Sequence, residues 1–155
     1  MNDLKIGDLP PNVALRRDGG TTVGLADFKG QQVVLYFYPR DDTPGCTTEA
    51  TDFTQAVTDF AAANTIVLGV SKDSVKKHEK FVAKHALGIA LLSDEDNDVC
   101  ERYGTWVEKS MYGNTYMGIE RSTFLIGSDG KIAQIWRKVK VAGHVDAVLA
   151  AAQRT

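Results

Sequence analysis

Hydrophobic and polar positions alternate in three distinct ways along the chain, and the changes of period mark its elements. Residues 13–17 and 21–24 flank Asp18-Gly19-Gly20, a hairpin signal, and residues 25–30 look like one helical turn closed by glycine. Residues 32–38 form a run of β-branched and aromatic residues with no charge, which predicts a strand buried on both faces. From Cys46 to about Ala63 the period becomes helical, with Phe53, Ala56, Val57, Phe60 and Ala61 on one face. Residues 65–71 give a second buried strand, expected to lie parallel to the first because a helix separates them.

The second half is read in the same way. Asp73 is expected to cap a helix whose face carries Val75, His78, Phe81, Val82 and His85, with Gly88 as its end. Residues 89–92 predict a short strand, and an acidic loop, 94–98, leads into a short helix over 99–103 stopped by Gly104. Residues 105–118 show no clean period and are expected to form an ordered loop carrying Trp106, Tyr112 and Tyr116. Residues 121–127 and 132–137 read as a hairpin around Ser128-Asp129-Gly130-Lys131. The last helix, about 143–153, is expected to bury Val145, Val148, Leu149 and Ala152. A βαβ half joined to a ββα half predicts an α/β fold of thioredoxin-like type. Its central mixed sheet would be flanked by helices and extended by an N-terminal β-hairpin, in one domain over 1–155.

Composition narrows the functional classes. With 155 residues, 43% hydrophobic and 25% charged, the chain can bury a core without disulfide staples. A net charge of −2 gives no electrostatic basis for capturing nucleic acid or an acidic membrane. The first residues lack the layout of a signal peptide and no apolar run reaches the length of a membrane span, so a cytoplasmic protein is expected. Two cysteines with no C-x-x-C pair do not make a disulfide framework, and no Cys/His cluster has metal-ligand spacing.

The chemistry concentrates at Cys46, where a buried strand hands over to a helix N-terminus. The helix dipole and free backbone N–H groups there favour a thiolate over a thiol. The alternative is a small buried hydrophobe, a common fate of free cysteine. Thr43 can place its hydroxyl in the same loop, the N–H groups of Gly45 and Cys46 point the same way, and Arg121 can add positive potential. Pro39 and Pro44 stiffen and shield the loop. One soft nucleophile among several donors meets the requirements for attack on a peroxide, leaving a sulfenic acid at Cys46.

The segment Tyr36-Phe37-Tyr38-Pro39 through Thr43-Pro44-Gly45-Cys46-Thr47-Thr48-Glu49-Ala50 resembles the active-site segment of peroxiredoxins, in particular the bacterioferritin comigratory protein or PrxQ subfamily. Leu91-Leu92-Ser93-Asp94, Tyr103-Gly104-Thr105-Trp106, Met111-Tyr112-Gly113 and the stretch from Gly118 to Ile126 are similar to that subfamily too, so the resemblance runs nearly the whole chain. It implies that Cys46 is the peroxidatic cysteine, that Thr43 and Arg121 orient and polarise the peroxide, and that Pro39 shields the thiolate. It also implies a thioredoxin-fold peroxidase with no metal, haem or flavin. Hydrogen peroxide and organic hydroperoxides would be reduced, with electrons from thioredoxin or a similar dithiol. The subfamily leans to monomers, with dimers known.

One departure bears on the cycle. Many members carry a resolving cysteine five residues after the peroxidatic one, where this chain has Thr51, and others carry it in the following helix, which here has none. Cys100 is the other thiol, read either as a resolving partner or as a packed residue beside Val99 and Tyr103. The working expectation is a one-cysteine cycle, completed by an external thiol. Glu49 either complements the helix dipole or holds Arg121 by a hydrogen bond. Arg121 itself could pair with a surface carboxylate, and His78 and His85 read as packing or a solvated edge. Rival functions are a thioredoxin-type reductase, which lacks its second thiol here, a cysteine hydrolase, which needs a histidine on Cys46, and a redox or interaction module without turnover.

Overall fold

The computed structural model describes residues 4–155. Among the described residues, the elements are β1 (Ala14–Arg17), β2 (Thr22–Gly24), a 3-10 turn (Leu25–Phe28), β3 (Gln32–Phe37), α1 (Pro44–Gln55), α2 (Val57–Ala62) and β4 (Thr65–Ser71). They continue with α3 (Val75–His85), β5 (Ala90–Ser93), α4 (Val99–Arg102), β6 (Trp106–Met111), β7 (Asn114–Ile119), β8 (Ser122–Ile126), β9 (Ile132–Trp136) and α5 (His144–Arg154). Seven of these strands form one sheet in the order β2-β1-β5-β4-β3-β8-β9. β3, β4 and β5 run parallel, as the intervening helices demand, while β8 pairs antiparallel with β3 and β1 with β5. The predicted N-terminal hairpin is therefore an edge of the main sheet.

β3 is buried at every position, so its two faces build two cores. Val34, Tyr36 and Tyr38 pack with Cys46, Phe53, Phe60, Phe81 and residues of α5. Val33, Leu35 and Phe37 pack on the other face with Val99, Cys100, Tyr103 and Phe124. Tyr36 joins sheet to helix: its ring stacks on Phe53 of α1 with centroids 4.6 Å apart. That contact depends on Gly69 of β4, where a β-carbon would lie 2.8 Å from Tyr36 Cζ and 2.9 Å from Leu91 Cδ2.

Several local expectations need correcting. The helix expected from Cys46 begins at Pro44 and breaks at Ala56, giving α1 and α2. Thr54 Oγ1 accompanies the break by bonding back to the Ala50 carbonyl, 2.8 Å away, and accepting the Gly88 N–H at 3.1 Å. Ser74, whose side chain accepts from Lys77 N, caps α3 in place of Asp73. Ala86, in the left-handed region, ends α3 ahead of Gly88. Leu149 is only partly buried. The expected loop over 105–118 is instead the hairpin β6–β7, turned by Tyr112 and Gly113 with φ of 52° and 80°.

Gly69→Ala is expected to lower the unfolding free energy by about 1–3 kcal/mol, because Tyr36 and Leu91 are both fully packed and cannot yield without strain. Urea denaturation checks this; a loss below about 0.5 kcal/mol, the scale of an unconstrained surface site, would mean the pair relaxes freely.

Candidate active site

Strand pairing brings the separated residues together. Phe37, the last residue of β3, pairs with Ser122, the first of β8, so Arg121 stands beside the point where the chain leaves β3 for α1. The Arg121 carbonyl accepts the Val139 N–H at 3.0 Å, which fixes the backbone from which the guanidinium reaches out. Arg121 Nη2 donates to Cys46 Sγ at 3.4 Å, and Nη1 donates to Glu49 Oε1 at 2.6 Å. Glycine at residue 45 eases the close approach: a β-carbon there would sit 3.3 Å from Arg121 Nη2, so the guanidinium would have to shift by a few tenths of an ångström.

Thr43 is the N-cap residue of α1 and Pro44 its first helical residue, a place where the missing N–H costs nothing. The first helical bond runs from Thr47 N to the Thr43 carbonyl, 2.8 Å. The N–H groups of Gly45 and Cys46 therefore have no acceptor within the helix, and they point out of its positive end beside the sulfur. The Thr43 hydroxyl donates to the Arg40 carbonyl at 3.0 Å and braces the loop from inside. Pro39 is exposed at the start of that loop. Cys46 is only 2% exposed, so a small oxidant can approach it far more readily than a protein can.

Glu49 carries the largest electrostatic tension in the site. It is fully buried, and its Oε2 has no hydrogen-bond partner among the described residues, as is true of the Tyr36 hydroxyl. Burial pushes the Glu49 carboxyl up to about 7, against the opposing pull of the Arg121 guanidinium. Burial, and then the Glu49 carboxylate, push the Tyr36 phenol upward as well. His144, buried behind the site with Nε2 2.8 Å from Thr123 Oγ1, is pushed down to about 4 by burial and then by Arg121.

The structure does not bring Cys100 to Cys46. The two thiols belong to cores on opposite faces of the sheet, and Cys100 is fully buried with its N–H on Asp94 Oδ2 at 2.8 Å. Burial, and then the Asp94 carboxylate, push its thiol well up. No histidine among the described residues bonds Cys46 Sγ. The His78 ring is taken up by Asp41 and the Leu92 carbonyl, and His144 by Thr123, so the base of a cysteine hydrolase is missing there. Tyr112, expected in an ordered loop, is 96% exposed at the tip of the β6–β7 hairpin. Lys109 on that hairpin escaped the sequence reading: partial burial and then Arg121 push its ammonium down while Cys46 pulls it up, which places it in the field of the site. Its signal was lost with the hairpin, since no helical or strand period had been assigned there.

Comparisons with known proteins bear on the family and the fold. The AhpC/TSA family model matches residues 6–135. Peroxiredoxin Bcp of Bacillus subtilis is 49% identical over 142 residues, covering 92% of this chain and 90% of that one. Peroxiredoxin Bcp of Escherichia coli K12 is 46% identical over 149 residues, covering 96% of each. Among solved structures, Xanthomonas campestris peroxiredoxin Q superposes with a TM-score of 0.89 at 46% identity, covering 99% of this chain and 97% of that one. Another, of the Xanthomonas campestris bacterioferritin comigratory protein, bears on that protein's alkyl peroxide reduction and gives a TM-score of 0.89 at 45% identity over 99% and 98% of the two chains. The chain belongs to the AhpC/TSA family and, within it, to the Bcp/PrxQ peroxiredoxins.

Proposed function

We propose that this peroxiredoxin reduces hydrogen peroxide and organic hydroperoxides at Cys46 in a one-cysteine cycle, and that an external dithiol restores it. The observation that carries the reading is the contact from Arg121 Nη2 to Cys46 Sγ, held on its far side by Glu49. It puts a fixed positive charge beside the one nucleophile in a site with two further N–H donors.

In the first half-reaction the Cys46 sulfur donates an electron pair to the terminal peroxide oxygen and the O–O bond breaks. The sulfur is oxidised by two electrons to a sulfenic acid, and the departing oxygen takes a proton to leave as water or an alcohol. Arg121 and the N–H groups of Gly45 and Cys46 meet the negative charge that gathers on the departing oxygen. Thr43 and Pro39 act through the loop, Thr43 by its bond to the Arg40 carbonyl. In the second half-reaction an external thiolate attacks the oxidised sulfur and water leaves. The second thiol of the dithiol then breaks the mixed disulfide, which returns Cys46 and oxidises the reductant. A thioredoxin-type dithiol in the cytoplasm fits a chain whose two cysteines are unpaired and lie on opposite faces of a sheet. Cys100 is assigned a packing role.

Cys46→Ser is expected to abolish peroxide turnover with dithiothreitol as reductant, and turnover at the wild-type rate would refute the assignment. Arg121→Ala should slow Cys46 oxidation by at least about 100-fold, the scale seen on removing one charge-stabilising donor; stopped-flow mixing with hydrogen peroxide reads this, and an unchanged rate removes Arg121 from the chemistry.

Glu49 gives a pH test. Its carboxyl titrates higher in the folded chain than in the unfolded one, so the folded state binds more protons between about 4.5 and about 7. The group's contribution to stability therefore falls as pH rises through that window. His144, pushed down to about 4, contributes in the opposite sense up to its unfolded value of about 6.5. The two slopes oppose one another in the wild type, so the difference between wild type and Glu49→Gln is the quantity to measure. By urea denaturation the wild type should lose up to about 3 kcal/mol relative to Glu49→Gln between pH 4.5 and 8; a constant difference would contradict the buried, half-satisfied carboxyl.

A further inference from the structure

The loop between β3 and α1 decides where Cys46 sits, and α3 grips that loop at two consecutive residues. His78 is fully buried on α3, with Nδ1 2.6 Å from Asp41 Oδ2 and Nε2 2.9 Å from the Leu92 carbonyl oxygen. A carbonyl only accepts, so Nε2 carries a hydrogen, and the short Nδ1···Oδ2 contact requires a second proton shared between ring and carboxylate. Tyr38 donates to the other oxygen of Asp41 at 2.5 Å, and the Asp41 N–H donates to Asp73 Oδ2 at 2.8 Å. One residue further, Asp42 has a φ of 62°, a left-handed conformation that carries a steric penalty outside glycine. Its carboxylate is held by Lys84 Nζ at 2.7 Å and His85 Nε2 at 2.9 Å. His78 and His85 are two helical turns apart, so one face of α3 holds both loop aspartates.

Asp41, Asp73 and His78 also present three possible metal-ligand atoms within 4.8 Å of one another. His78 Nδ1 is already bonded to Asp41 Oδ2, Asp41 Oδ1 accepts from Tyr38, and Asp73 Oδ2 accepts from the Asp41 N–H and the Ser71 hydroxyl. The grouping works as a hydrogen-bonded clamp.

We propose that His78 is a positioning residue for Cys46: through Asp41 it fixes the loop so that the sulfur faces Arg121, and by the same contact it keeps the sulfur buried away from a protein thiol. The inference rests on the peroxidatic reading of Cys46. It follows that the clamp acts in opposite directions on the two half-reactions. Attack on peroxide needs the alignment of Sγ with Arg121 and gains from a rigid loop. Attack by an external thiol needs an exposed sulfur, which at 2% exposure requires the loop to open. A contact that merely stabilised the fold would leave both rates of the folded protein unchanged.

The test uses full-length protein and measures the half-reactions separately. Cys46 oxidation is followed by rapid mixing with hydrogen peroxide, and the return of the oxidised protein by rapid mixing with dithiothreitol. His78→Phe fills the buried volume without either ring nitrogen. It is expected to slow oxidation on the order of tenfold and to speed reduction roughly threefold. Asp41→Ala, which also removes the bond from Tyr38, should act in the same directions at least as strongly, and the double variant should add nothing beyond Asp41→Ala, because His78 acts on the loop through Asp41. Asp41→Asn keeps a bond to Tyr38 and one to His78 and should restore rates near wild type. Should His78→Phe fail to fold, Asp41→Ala against Asp41→Asn carries the same comparison. Unchanged rates, or both rates moving the same way, overturn the clamp. A wild-type Cys46 that hydrogen peroxide leaves reduced would instead overturn the peroxidatic reading beneath it.

Discussion

A buried ion pair is the constraint on which the rest of this site depends. Glu49 has no exposed surface, and burying one charge without its partner costs several kcal/mol. The pair from Arg121 Nη1 to Glu49 Oε1 is short enough to be a strong charge-assisted bond, yet the second carboxylate oxygen is left without a partner. A well-packed apolar pair at these positions would give up nothing in stability by general experience with such sites. Holding the guanidinium at one angle, 3.4 Å from Cys46 Sγ, is what the arrangement supplies in exchange. The sheet makes it possible by pairing the end of β3 with the start of β8, and Gly45 makes room for it.

Strict alternation of β3 separates the two thiols. Because successive residues of a strand face opposite ways, Tyr36 and Tyr38 lead to the Cys46 core while Leu35 and Phe37 lead to the Cys100 core. The two sulfurs therefore do not meet in this fold. One cysteine stands beside the Arg121 donor and the other packs under Asp94 at the start of α4, and in the proposed one-cysteine cycle the second half falls to a thiol from outside. The tight burial of Cys46 favours a small oxidant over a large reductant, and in the proposed clamp motion of the β3–α1 loop is the step that admits the latter.

Much of this was legible in the residues themselves. The uncharged runs at β3 and β4 read as strands buried on both faces, and the change to helical period placed Cys46 at a helix start, two residues past the true beginning at Pro44. What escaped notice had specific causes. The β6–β7 hairpin is mostly exposed, so it has no apolar face to alternate, and its two-residue turn places Tyr112 where Asn, Asp or Gly usually signals a left-handed residue. Ala86 likewise takes a conformation that pointed to glycine, and Ser74 displaced Asp73 as cap because Asp73 is committed to Ser71 and Asp41. His78 looked like a packing residue on an apolar helix face. Its partner Asp41 lies 37 positions away and no local pattern links them. The seven-residue spacing of His78 and His85 was visible, but its meaning needed the two loop aspartates to be brought against it.

The most direct test of the central claim is a peptide map of the reduced protein after one equivalent of hydrogen peroxide, with the sulfenic acid trapped by dimedone. The account predicts the adduct at Cys46 alone, with Cys100 recovered as free thiol. A disulfide between Cys46 and Cys100, or an adduct at Cys100 with Cys46 still reduced, would contradict it.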